Sequence, residues 1–181
     1  MSCNDNKLSK EVSIEYPLFQ SQKGRYFIGE TPILTGPTSK AIVALVNPTT
    51  SNVNIYLNAI TVSNVSSESL SAEIYLRSSI PVGDTSSYVS CTNVSITPPS
   101  KPRGLIKFND LDPVAPIDGV PIFSRIVPPY STTVIDGGQI IIPPKSCILV
   151  YLGGFLPIQF DSAIVAFGWW EEKIDHKHCE Y

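Results

Sequence analysis

The side chains best suited to chemistry gather at the end of the chain. His176 and His178 are its two histidines, and they stand beside Asp175 and Cys179. An Asp-His-Lys-His-Cys run offers one thiolate and two imidazoles, the donor types that hold Zn²⁺ or Cu²⁺. The run is short and no second ligand cluster accompanies it, so a solvated terminus is the simpler reading and no metal or other cofactor is expected. A nucleophilic hydrolase would have to draw its histidine from this tail, and no Gly-x-Ser-x-Gly is present to present a serine. Glu171 and Glu172 follow Trp169 and Trp170, which raises a glycosidase pair or a sugar-stacking platform. Adjacent residues on a strand point to opposite faces, so the two acids do not form a natural pair. One Trp is expected in the core and the other outward. Walker A, Rossmann and EF-hand patterns are absent. No enzymatic activity and no catalytic residue is expected.

Four cysteines divide by context. Cys91 and Cys147 lie in strand-like runs and read as small buried hydrophobes. Cys3 and Cys179 sit in polar termini, where burial does not explain them, and they are the candidate crosslinking thiols if the protein later meets an oxidant. The first ten residues contain no apolar stretch of the secretory kind. Synthesis in a cytosol without a signal peptide is therefore expected. Asn64-Val65-Ser66 and Asn93-Val94-Ser95 match a glycosylation sequon but carry no such role without secretion.

The elements that must position these residues are strands. Of 181 residues, 47 are β-branched, against 7 Ala and 1 Met. Such side chains lose χ1 freedom in helices and suit a pleated surface. Short strand candidates follow one another between Pro, Gly, Asn and Ser, with no sustained helical period. They begin with Arg25 to Ile28 and Lys40 to Val46. Val53, Ile55 and Leu57 then face one way, before the apolar phase moves to Ile60 and Val62, which predicts a bulge near Asn58-Ala59. Further candidates are Leu70 to Leu76, Tyr88 to Ile96, Gly104 to Phe108, Pro121 to Val127, Thr132 to Ile135, Gln139 to Ile142, Cys147 to Leu152 and Ala163 to Trp170. Gly137-Gly138 reads as a hairpin turn. The expected fold is an all-β antiparallel sandwich of jelly-roll form over 25–172, with a flexible N-terminal arm (1–24) and a short C-terminal tail (173–181). Within the arm, Val12, Ile14 and Tyr16 alternate with polar residues as an added strand would, which marks them as an assembly arm. The proline-rich stretch from Thr97 to Pro129 reads as a long surface excursion.

Charge is sparse: 16% of residues are charged and the net charge is −3. That balance excludes a strong phosphate-backbone footprint, so nucleic acid is not an expected partner. The longest near-apolar run, Cys147 to Ile158, is too short for a membrane span. Between Ala41 and Leu76 the only charges are Glu68 and Glu73, which leaves strand edges weakly guarded if they are exposed. Two C-terminal strands are apolar on both faces and need a second cover, either a loop of the same chain or a neighbouring subunit. Cys147, Leu149, Tyr151, Trp169 and Trp170 are accordingly the candidate interface.

The stretch Ala44-Leu45-Val46-Asn47-Pro48-Thr49-Thr50-Ser51-Asn52-Val53-Asn54-Ile55-Tyr56-Leu57-Asn58 resembles a small uncharacterised domain family of spore-forming Bacillota, with a likeness extending over most of 17–172. More distantly, a Cys-bearing arm, a Val/Ile/Thr-rich sandwich and the corner Ile140-Ile141-Ile142-Pro143-Pro144-Lys145-Ser146-Cys147-Ile148 are similar to jelly-roll subunits of endospore appendages. That resemblance implies polymerisation by sheet augmentation with disulfides from the arm, although this arm carries Cys3 alone. The expected function is a self-assembling structural subunit of a spore-associated or cell-surface fibre or layer. Its expected partners are copies of itself and other spore-surface proteins, at the spore surface or in mother-cell assembly. The alternative is a carbohydrate- or peptide-binding module near Trp169, Trp170 and the proline-rich loop.

Overall fold

The computed structural model describes residues 13–35, 40–111, 113–154 and 161–174. Within them one helix, α1 (Tyr16–Gln22), precedes strands β1 (Tyr26–Glu30), β2 (Ala41–Asn47), β3 (Val53–Asn64), β4 (Leu70–Leu76), β5 (Asp84–Thr85), β6 (Val89–Cys91), β7 (Leu105–Asn109), β8 (Val120–Val127), β9 (Ser131–Ile142), β10 (Ser146–Leu152) and β11 (Ala163–Lys173). The strands build two antiparallel sheets, a first of order β6-β1-β11-β3-β9 and a second of order β5-β7-β2-β10-β4-β8. The inner faces of both sheets share one core that includes Leu45, Ile55, Leu57, Ile74, Ile148, Val150 and Trp169. An all-β sandwich is the result. Its pairings nest: β1 lies beside β11, β2 beside β10, β3 beside β9 and β4 beside β8.

The phase shift in β3 is a bulge. Gly168 pairs with Ala59 and Trp169 with Leu57, so Asn58 is the extra residue against β11. On the other side, Leu57 pairs with Ile140 and Ala59 with Asp136. Gly137-Gly138 therefore does not turn a hairpin. It lies inside one continuous strand, where residues without Cβ let the backbone bend around the irregular register.

Several other expectations change with the topology. The charge-poor stretch from Ala41 to Leu76 forms β2, β3 and β4, each hydrogen-bonded to a strand on both sides. Its missing charges reflect an interior position in the sheets, not an unguarded edge. Of Tyr88 to Ile96 only Val89–Cys91 is a strand. The proline-rich stretch contributes two strands, and Pro121 is accommodated because β8 is an edge strand. Ile14 lies outside any strand and Tyr16 opens α1, with Pro17 in the first turn where its missing N–H costs nothing. Val12 lies outside the described residues. The helix docks on the first sheet, so this part of the arm is attached to the sandwich.

Strand β10 is buried on both faces, and the cover comes from the same chain. Ile148, Val150 and Leu152 enter the main core, whereas Cys147, Leu149 and Tyr151 join Ile42, Ala44 and Val46 in a second cluster backed by Tyr75. Loops carrying Ile80, Pro81, Val82, Val114, Pro116 and Ile117 lie over Ile42 and Leu149. Cys147 Sγ donates to the Ser78 carbonyl at 3.6 Å. These three predicted interface residues are thus enclosed within the monomer.

Candidate functional site: the open face and free edge of the first sheet

The outer face of the first sheet is built in rows set by strand register. Tyr26, Trp170, Tyr56 and Ile141 lie side by side on β1, β11, β3 and β9. The Trp170 ring stacks on Tyr56 at 5.4 Å with an interplanar angle of 2°, and on Tyr26 at 6.5 Å and 23°. Helix α1 crosses this ridge. Tyr16 meets Trp170 edge-on at 5.8 Å, and Gln20 Nε2 donates to Glu172 Oε1 at 2.7 Å, which also accepts the Tyr16 hydroxyl. A seven-residue helix is too short to hold itself by propensity, so these contacts fix it. The Tyr16 phenol is pushed up from its usual range by its hydrogen bond to Glu172 and by burial. Burial does the same for Tyr26, and burial followed by the Glu172 charge does so for Tyr56.

Beyond the ridge the rows become small. Ile28 sits opposite Gly168, which pairs with Ala59, and Glu30 sits opposite Ala166, which pairs with Thr61. The low floor leaves a trough of about 600 Å³ with Ser87, Tyr88 and Ser90 along its other side. Tyr88 is 59% exposed. A Cβ at Gly168 would stand 2.7 Å from Tyr26 Oη, so a larger residue there would push the Tyr26 ring aside. Tyr26 leans across that glycine and accepts a hydrogen bond from Asn58 Nδ2 at 2.9 Å, so the bulge residue fixes the end wall.

At the margin of this face β9 pairs with β3 alone among the described residues, and none of them pairs its other edge. Asp136 is the single charge along its twelve residues. Val134 and Ile141 are more than half exposed, as is Tyr130 at its start. The corresponding edge of the second sheet, β8, is guarded by Pro121 and Arg125.

Trp169 is fully buried in the core and Trp170 is 7% exposed beneath α1, so neither tryptophan offers a free platform. Glu171 and Glu172 point to opposite faces: the first is tied to Arg103, Gly104 and Trp169, the second to α1. Cys3, Cys179, His176 and His178 lie outside the described residues, whereas Cys91 and Cys147 are buried free thiols. Tyr26, Asn58, Tyr88 and Gly168 escape sequence reasoning because their association depends on cross-strand register. The available signal is the small pair Ala166 and Gly168 in an otherwise bulky run.

Fold and site together define an all-β sandwich with an open outer sheet face and an unpaired β9 edge among the described residues, of which no helix is long and apolar enough to cross a membrane. The family described as a family of unknown function (DUF6143) matches residues 1–177, and the chain belongs to it. No curated protein and no solved structure matches the chain.

Proposed function

We propose that the protein is a self-assembling structural subunit whose copies join by pairing along β9. The carrying observation is the free twelve-residue edge with one charge, flanked by exposed Tyr130, Val134 and Ile141. Long, nearly uncharged edges of this kind template strand addition, and among the described residues this one is unpaired while β8 is guarded. Cys147, Leu149, Tyr151, Trp169 and Trp170 take no part in this contact, because the monomer covers them. The nested pairs β1/β11, β2/β10, β3/β9 and β4/β8 support the jelly-roll form of the sandwich. Membership of a spore or cell-surface layer, assembled from the mother-cell cytoplasm, rests on the resemblance of the Ala44–Asn58 stretch. Oxidation of Cys3 or Cys179 then locks the contact.

Sedimentation and negative-stain imaging of the full chain test this, under reducing and oxidising conditions. Concentration-dependent oligomers are expected, dispersed by Val134→Lys with Ile141→Lys, both exposed positions. A monomer at every concentration and redox state overturns the reading.

A second reading, a carbohydrate- or peptide-binding module, is supported at a new location. The trough beside Tyr88 supplies the exposed aromatic surface that the tryptophans do not.

A further inference from the structure

At one end of the sandwich a small cavity of about 170 Å³ is lined by Arg25, Lys101, Arg103 and Lys173. Four of the thirteen cations of a chain with net charge −3 therefore border one small cavity, and all four are exposed. They come from separate elements: the residue before β1, the loop before β7 and the last residue of β11. None of the four side chains has an ion-pair or hydrogen-bond partner among the described residues. The one acid in the lining is Glu171, and it is already committed. Its carboxylate accepts the backbone N–H of Arg103 at 2.9 Å, that of Gly104 at 2.8 Å and the Trp169 indole N–H at 3.1 Å. Those bonds hold the 101–103 segment against β11, where Lys101 and Arg103 line the cavity together with Arg25 and Lys173.

Like charges brought together without partners repel, and an anion between them removes that repulsion. A cavity of this size is below the range of drug-sized sites, so it suits one compact group. Two guanidinium forks and two ammonium groups match the several oxygens and double charge of phosphate better than a single carboxylate.

We propose that this end of the sandwich binds a phosphate group, free or as a monoester. The site uses no residue of β9 and stands or falls independently of the assembly reading. Isothermal titration of the full chain with inorganic phosphate, pyrophosphate and glycerol phosphate tests it, with acetate and sulfate as controls and salt concentration varied. Saturable binding of the phosphates is expected, weakened about tenfold or more by the double variant Arg25→Gln/Arg103→Gln, consistent with loss of charge-assisted forks. Lys101→Gln/Lys173→Gln provides a second variant at exposed positions, and an unchanged melting temperature shows that each variant folds. Retention of glycerol phosphate identifies an ester source, whereas retention of inorganic phosphate alone identifies the free ion. Absence of saturable binding at millimolar phosphate, equal affinity for sulfate and acetate, or binding indifferent to both double variants overturns the proposal.

Discussion

Glu171 shows how one residue joins core, loop and surface. A buried carboxylate is costly unless its oxygens are occupied, and here two backbone amides and an indole N–H occupy them. Replacement by Ala leaves those donors facing a dry gap. We expect Glu171→Ala to lower stability by about 3 kcal/mol, from unsatisfied donors costing about 1–3 kcal/mol each and only partly rescued by water. Glu171→Gln should cost less because its amide oxygen still accepts. Urea unfolding measures both, and an Ala variant as stable as the parent refutes the clamp. Asparagines make similar ties. Asn47 Nδ2 donates to the carbonyls of Val53 and Ile142, each at 2.8 Å, joining the β2–β3 turn to the end of β9. Asn64 donates to Glu68, Val127 and Pro128 carbonyls and accepts from Ser66. The Asn-x-Ser sequence at this position is thus turn chemistry.

Among elements, the contrast between the two sheet faces matters most. The outer face of β2 and β10 is sealed by the chain's own loops, whereas the outer face of β1, β11 and β3 is covered by α1 only at its aromatic ridge. The remaining trough exists because small residues fall in adjacent strands at matching register. If it holds a saccharide or peptide, Tyr88 is the accessible stacking surface. Tyr88→Ala should then abolish saturable binding on a glycan or peptide array while leaving the thermal transition unchanged, because the ring is mostly exposed. Binding preserved in that variant would remove the trough as the site.

For the whole molecule, the resolved shifts of its phenols and thiol share one sign. The Tyr75 phenol is pushed up to about 12 by burial and by its hydrogen bond to Glu73, and burial, then the nearby Asp118 charge, raises the Cys147 thiol to about 11. Tyr16, Tyr26 and Tyr56 are also raised. The fold therefore favours the protonated forms. This contribution is complete below the ordinary thiol value of 9.0 and is lost as pH climbs through the raised values. Urea midpoints should fall between pH 9 and 12, first through Cys147 and then through Tyr75. The fall should be shallower in Tyr75→Phe and Cys147→Ala. A flat profile across that window contradicts the assignment.

Local patterns made much of the sandwich legible. Alternation in β3 and β4 selected their inward faces, the phase change located the bulge at Asn58, and β-branched composition excluded a helical fold. These signals rest on side-chain period and backbone sterics, which act over a few residues. Tyr16 opens a helix instead of the strand its alternation predicts, because three alternating residues before Pro17 carry too little information to outweigh docking on Trp170. What the sequence by itself determined was the class of fold, its strands and the direction in which most of their side chains point. Only the tertiary structure decided which apolar faces are covered, which described edge is unpaired and which four cations line one cavity. Those outcomes depend on the order and register of strands far apart in sequence, and local alternation is the same whichever neighbour a strand finds.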